Sequence, residues 1–320
     1  MACLIVDGNN IGCRAWMAND KLGNGFKTSM GVPTTVTFGL LRSIDYALSN
    51  NNGIGKIEKC FITWDKGSEY RKRLFKHYKG TRERMDNYES LLENYETAQK
   101  YLAKLGIPQI YRKGMEADDI IGFLTRKLNK VNGKGVIIFS DDVDFHQLLK
   151  HRVRQFRPSS QNLVTSSDFV EEYGMKPKHY PRLLALIGQQ KDNIPGACDV
   201  VDGVMKKFGF GVKTALKCMF DEDGNVKKLK QTMEEFPDNR FRENIIRNRK
   251  QVFLSLKLSK VRCSKKEYDK DEWKDLNKMF TDGMLLSEVK LSKVRMVSEF
   301  LEIKKTNVPA ILKKIGIKIT

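Results

Sequence analysis

The run Val136-Ile137-Ile138-Phe139 ends abruptly in Ser140-Asp141-Asp142-Val143-Asp144-Phe145, and this transition limits what the chain can fold into. Four consecutive apolar residues after Gly135 predict a strand buried on both faces, which implies a sheet with layers on either side. The C-terminal end of such a strand opens to solvent where ligands bind in open parallel sheets. Carboxylates gathered there repel one another unless a cation neutralises them, so Asp142 and Asp144 read as metal ligands. An acidic turn capping a helix that starts at Phe145 is the competing reading of this stretch alone.

The same arrangement recurs upstream. Cys3-Leu4-Ile5-Val6 predicts a short buried strand followed by a turn at Asp7-Gly8-Asn9-Asn10, and Lys59–Trp64 predicts a second strand ending in Asp65. Between them, Phe38, Leu41, Ile44, Ala47 and Leu48 follow a helical period within Val36–Leu48. Gly114-Met115-Glu116-Ala117-Asp118-Asp119 leads into Ile120, Ile121 and Leu124, a helix with an acidic first turn; the helix dipole accounts for some of that acidity, but three acids exceed what capping requires. Val153–Phe156 reads as a final short strand before Pro158. The count predicts an α/β core through about residue 160.

These acids stand in a chain whose formal charge is +19, from 58 Lys and Arg against 39 Asp and Glu. Such an excess favours a polyanionic partner, and nucleic acid suits it better than a membrane because no amphipathic anchor or spanning segment is evident. The basic run Lys66–Arg82 interleaves Arg71, Lys72 and other cations with Tyr70, Phe75 and Tyr78, so that cations can hold phosphates while rings stack on bases. The other reading of that run is a solvated face. Residues 85–105 predict a helix ended by Gly106 and Pro108. Six scattered cysteines without a CxxC pair indicate neither zinc nor a disulfide framework. The first apolar run stops at Asp7, too short for a signal peptide, and a cytoplasmic location, in a bacterium or a phage-infected host, is expected.

Beyond residue 160 the pattern predicts helices only. Tyr180, Leu183, Leu184 and Ile187 share a face that stops at Gly188-Gln189-Gln190-Lys191-Asp192-Asn193, and Gly209-Phe210-Gly211-Val212-Lys213-Thr214 has the form of a turn opening a helix, where bare N–H groups attract phosphate. A lone GxG is more often a simple turn. Asp221–Asn225 lacks the full calcium-loop pattern and reads as a loop.

Taken in order, LIVDGNN, WDKG with YKGTR, EADD, SDDVDF, GQQKDNIPG and GFGVKTA resemble the 5′-nuclease family of flap endonucleases, phage 5′→3′ exonucleases and the 5′-nuclease domains of bacterial DNA polymerase I, over roughly residues 3 to 220. The resemblance implies a Rossmann-like (PIN-like) core in residues 1–160 that includes a helical arch at about 79–105. Residues 161–320 would be a helical DNA-binding region with a helix-hairpin-helix element. It implies that Asp7, Asp65, Glu116, Asp118, Asp119, Asp142, Asp144 and Asp192 hold Mg²⁺ at two sites, with Mn²⁺ as a substitute. Lys79, Arg82 and Tyr78 would lie at the base of the arch. Gly209, Gly211, Lys213 and Thr214 would contact DNA phosphates around a K⁺ ion.

The implied activity is metal-dependent hydrolysis of phosphodiesters at a 5′ end, nick or flap, with RNA–DNA hybrids, RNA-primer removal and replication proteins as further expectations for a stand-alone monomer. Two departures stand out. Gln189 replaces an acid of the family's GDxxDN pattern, which weakens the second metal site, and the stretch from Gly196 to Gly209 is longer than usual. The rivals are a PIN-type ribonuclease and a DNA-binding homologue with impaired catalysis. No Ser/His or Cys/His arrangement competes, since His77, His146, His151 and His179 stand outside the motifs.

Overall fold

The computed structural model describes residues 2–19, 25–49, 53–83, 85–131, 135–205, 211–236, 239–303 and 306–320. Its centre is a six-stranded sheet of β1 (Ala2–Asp7), β2 (Ile57–Thr63), β3 (Gln109–Ile110), β4 (Gly135–Phe139), β5 (Val153–Arg157) and β6 (Asn162–Val164), in the order β3-β2-β1-β4-β5-β6. All pairings are parallel except β5 with β6. The chain leaves β1 toward β2 on one side and later returns to β4 on the other. The strand order therefore reverses between β1 and β4, and a crevice opens beyond their C-terminal ends.

Alternation along the strands divides the core. Leu4, Val6, Ile62, Ile137 and Phe139 point to one face, and Cys3, Ile5, Phe61, Val136 and Ile138 to the other. The first face is covered by α1 (Gly8–Asn19), α2 (Thr35–Ser49) and α4 (Tyr88–Lys104), with the short α3 (Glu69–Leu74) preceding α4. The second face is covered by α5 (Ala117–Val131) through Ile120, Ile121, Phe123, Leu124 and Leu128.

A separate apolar cluster joins α6 (Ser166–Tyr173), α7 (Tyr180–Ile187), α8 (Val212–Met219), α9 (Leu229–Glu234), α10 (Asn239–Arg247) and α11 (Arg249–Ser259). The last elements return to the sheet. On its second face, α12 (Lys270–Leu285) packs Leu276 and Phe280. On the first, α13 (Leu291–Phe300) and α14 (Val308–Lys314) pack Val294, Val297, Ile311 and Leu312.

Several local expectations change. The motif Gly8-Asn9-Asn10 is the first turn of α1, because Asp7 Oδ1 accepts from Asn10 N at 3.0 Å and so caps the helix while also ending the strand. Val143–Leu148 is a 3-10 turn, with Asp142 accepting from Asp144 N, so no α-helix starts at Phe145. Strands β3 and β6 are too short to show a period. The half expected to be only helical also holds the hairpin β7 (Val200–Val201) with β8 (Val204–Met205), and the parallel pair β9 (Glu288–Val289) with β10 (Lys318–Ile319). A boundary at residue 160 would cut β6 from its sheet and α12–α14 from the core they cover.

In the segment expected to arch, residues 79–83 and 85–87 are turn and coil. The helix begins at Tyr88, where it buries Leu91, Ala98 and Leu102 against the first face.

Gly8 lies where β1 and β2 come closest to the site. A Cβ there would meet Thr63 O at 2.7 Å and the Trp64 ring at 2.8 Å, and neither backbone nor buried indole can retreat cheaply. Gly8→Ala is expected to lower unfolding stability by about 1–3 kcal/mol in urea titration. An unchanged midpoint would refute the close approach.

Candidate active site

The crevice holds a cleft of about 1,520 Å³. Asp7 reaches it from the end of β1, Asp65 from just past β2, Asp118 from the first turn of α5 and Asp142 from just past β4, while Lys79 and Arg82 also line it. One wall is α4, through Tyr88, Leu91, Leu92 and Tyr95.

Neighbouring polar groups set the strand ends. Asp7 accepts from Asn10 N at 3.0 Å and from Ser140 Oγ at 2.9 Å. Asn9 Oδ1 accepts from Asp65 N at 2.8 Å, and Asn10 Oδ1 from Asp141 N at 3.0 Å, so the two asparagines after Asp7 tie β1 to the ends of β2 and β4. Asp65 Oδ1 accepts from Ala117 N at 2.7 Å, which fixes the start of α5. Asp141 is paired with Arg14 at 3.0 Å.

The open carboxylates are electrostatically uncomfortable. Burial, then the charge of Asp65, pushes Asp7 up to about 7. Burial and the neighbouring Asp142 hold Asp118 well above the usual carboxylate range. Burial, then Asp142, also pushes Asp144 up to about 7, although hydrogen bonds from Gln189 oppose the shift. A hard divalent cation fits this donor set of carboxylate oxygens, since it would relieve the repulsion that burial amplifies. In the positions taken here, no group of three acidic, His or Cys side chains among the described residues converges tightly enough to share one ion.

Other predicted ligands are committed elsewhere. Asp119, expected at the metal, is 1% exposed, and its two oxygens accept from Arg71 Nη1 and Nη2, Arg262 N and Arg262 Nε at 2.7–3.1 Å. Burial would raise it, but Arg71 and Arg262 outweigh that and hold it below its ordinary value, so it is a structural anion with no lone pair facing the cleft. Glu116 accepts from Arg71 at 2.6 Å, from Tyr78 OH at 3.0 Å and from Lys79 Nζ at 2.5 Å. It does not line the cleft either.

The expected DNA contacts at Arg71 and Tyr78 are corrected for the same reason. Both are buried, and Arg71 spends its remaining donors on Leu258 O and Lys260 O. Lys72 is exposed.

Lys79 stands in a left-handed turn with φ 56°, anchored by its N–H donating to Asp192 O at 2.9 Å. Burial would lower its ammonium, yet Glu116 and then Asp118 hold it raised, so it stays charged. Arg82 pairs with Asp192.

Gln189 donates Nε2 to both oxygens of Asp144, at 2.8 and 3.0 Å, while its Oε1 accepts from Ser259 Oγ at 3.0 Å. The amide therefore presents protons to the acid, and its oxygen faces away. Gln147 backs this arrangement by donating to Asp144 O and Ser259 O. In the expected DNA hairpin, Gly211 caps α8 and Lys213 is exposed with Thr214 beside it on the first turn, whereas Gly209 lies outside the described residues.

Sequence reasoning missed Asn9, Asn10 and Ser140, whose short polar side chains beside Asp7 and Asp142 were the available signal. It also missed Arg262 and Ser259, which nothing local marks.

The family model described as 5′-3′ exonuclease, N-terminal resolvase-like domain, matches residues 2–174. A 5′-3′ exonuclease of Buchnera aphidicola is 31% identical over 265 residues, covering 81% of this chain and 85% of that protein. The thermostable DNA polymerase I of Thermus filiformis is 29% identical over 260 residues, which cover 81% of this chain and 28% of the polymerase. Among solved structures, a bacteriophage T5 flap endonuclease in complex with DNA and metal ions aligns over 98% of this chain and 100% of its own, with TM-score 0.60 and 21% identity. Flap endonuclease-1 from Methanococcus jannaschii aligns over 98% and 90%, with TM-score 0.52 and 14% identity. These structural likenesses concern the fold.

The two adjacent acids of α5 should respond oppositely when neutralised. In metal-free buffer Asp119→Asn is expected to cost about 3–5 kcal/mol, because it leaves two buried guanidinium groups short of a charge. Asp118→Asn should raise the melting temperature by a few degrees, because it removes a repelled charge. Thermal and urea unfolding in EDTA check both; destabilisation by Asp118→Asn would refute the assignment of Asp118 to the repelled set.

Proposed function

The chain belongs to the 5′–3′ exonuclease family and is a nuclease of that kind, and from this premise we propose that the cleft hydrolyses phosphodiesters near the 5′ end of DNA with Mg²⁺ held by Asp7, Asp65, Asp118 and Asp142. The observation that carries the proposal is the convergence on one cleft of acids from β1, β2, α5 and β4, with Lys79 and Arg82 beside them. Such a cation, when bound, offsets charge on the scissile phosphate and lowers the pKa of its water. Mn²⁺ is the expected substitute.

In this reading the protein groups divide the work. Lys79, kept protonated by Glu116, and Arg82 supply positive charge where the phosphate gains negative charge. Both now rest on acids, so an entering phosphate takes over cations already positioned, of which Lys79 is also largely buried. Arg71 and Tyr78 act through Glu116 by holding the carboxylate on which Lys79 sits. Asn9, Asn10 and Ser140 keep the strand-end acids in register. Asp144 and Asp192 belong to a second, weaker Mg²⁺ site, since the amide of Gln189 occupies Asp144 and brings no charge.

Lys213 and Thr214 on the first turn of α8, with Gly211 at its cap, hold duplex phosphates about a K⁺ ion, a role expected of Gly209 as well. The proposal includes action at a 5′ flap or nick and on the RNA of an RNA–DNA hybrid, alongside replication proteins. Cleavage mapping on labelled 5′-flap and hybrid duplexes with Mg²⁺ tests it; no 5′-end cleavage of either substrate would overturn it.

Asp142→Asn should abolish cleavage and leave flap-duplex affinity within a few-fold, measured by anisotropy in Ca²⁺. Lys79→Ala should slow single-turnover cleavage far more than it weakens binding. Lys213→Ala should do the reverse and flatten the salt dependence of binding. Equal effects at the two lysines on rate and affinity would refute this division.

Gln189→Asp should lower the Mg²⁺ concentration for half-maximal cleavage, because an acid replaces the amide opposite Asp144. Titration of the metal against activity, with calorimetry of Mg²⁺ binding alongside, checks this. An unchanged requirement in both would show that Gln189 does not limit the second site.

A further inference from the structure

A second cavity, of about 890 Å³, lies between α5, the stretch 147–151, α6 and residues 176–178, and shares no lining residue with the active cleft. Its size is that of pockets which enclose a ligand of several side chains. The lining has two parts. Leu148, Leu149, Val170 and Pro177 are aliphatic, while Arg126, Lys150, His151, Lys176 and Lys178 are basic or imidazole, with Glu171 the acid among them. Arg126, Lys176 and Lys178 make no ion pair among the described residues.

Thr125 also lines the cavity. It is 3% exposed, and its Oγ1 has no hydrogen-bond partner. The first turn of α6 is not the attraction, because Thr165 accepts from Ser167 N and Asp168 N and already satisfies it.

We infer that this cavity docks an acidic peptide of a partner protein, with aliphatic side chains on the Leu148–Pro177 floor and carboxylates at Lys176, Lys178 and Arg126. The charge of the rim selects an anion. Nucleic acid fits less well, because its bases bind by stacking on aromatic rings, and the imidazole of His151 is the sole ring in the lining. A small inorganic anion would leave the aliphatic floor uncovered. The inference does not depend on the chemistry of the active cleft.

The test is fluorescence anisotropy of the whole chain with a short labelled peptide in which two leucines are flanked by aspartates. Saturable binding that weakens with NaCl is expected, with no binding of a lysine-flanked control. The double variant Lys176→Glu/Lys178→Glu should lose about tenfold or more in affinity while cleaving a 5′-flap duplex like the parent. Absence of saturable binding, or affinity that survives the charge reversal, would overturn the proposal. Equal loss of affinity for a single-stranded oligothymidylate in the double variant would also overturn it and make the surface a nucleic-acid contact.

Discussion

Mutual repulsion of carboxylates at one end of a parallel sheet is the constraint around which this molecule is arranged. In the low dielectric of a protein interior such charges cannot simply be neighbours. The structure sorts them. Asp119 and Glu116 are held within the protein by guanidinium, ammonium and phenol groups, Asp141 lines the cleft paired with Arg14, and Asp7, Asp65, Asp118 and Asp142 face the cleft without an ion-pair partner among the described residues. The fold neutralises the first set and leaves the second facing the cleft. A site held ready for charge in this way is stabilised less by its own contacts than by the core beneath it.

That sorting depends on a segment far along the chain. Residues 258–263 pass behind the site, where Leu258 O and Lys260 O accept from Arg71, Arg262 completes the pairing of Asp119, and Ser259 orients Gln189 against Asp144. The single hydroxyl proton of Tyr268 is shared between Asp119 O and Arg262 O, and Arg262 continues to Glu272 at the start of α12. The helical cluster and the sheet thus meet through a buried ionic network rather than through apolar contact alone. Removing one member of such a network leaves an uncompensated buried charge, so its members depend on one another.

The strands that carry the acids were legible in the sequence because a strand buried on both faces needs a continuous apolar run, and Cys3–Val6, Cys60–Ile62 and Val136–Phe139 have little else they can be. The acids that follow them were legible for the same reason, since chain order places each at a strand end. Residue identity alone also suffices for the basic character of the whole.

What each acid does was decided only by tertiary structure. Asp118 and Asp119 are neighbours in one helical turn, yet one faces the cleft and the other faces Arg71 and Arg262, a partner 143 positions away in the chain. No local pattern distinguishes them, because successive residues on a helix point about a quarter turn apart and the surroundings assign the roles. Arg71 looked like a nucleic-acid contact in its basic run, but burial beside two acids turned it inward. The sequence determined that acids would gather at the end of a buried parallel sheet in a positively charged protein. The packing of distant segments decided which of them are neutralised and which remain open to the cleft, because electrostatic energy depends on distance and burial, and neither is a property of a residue's place in the chain.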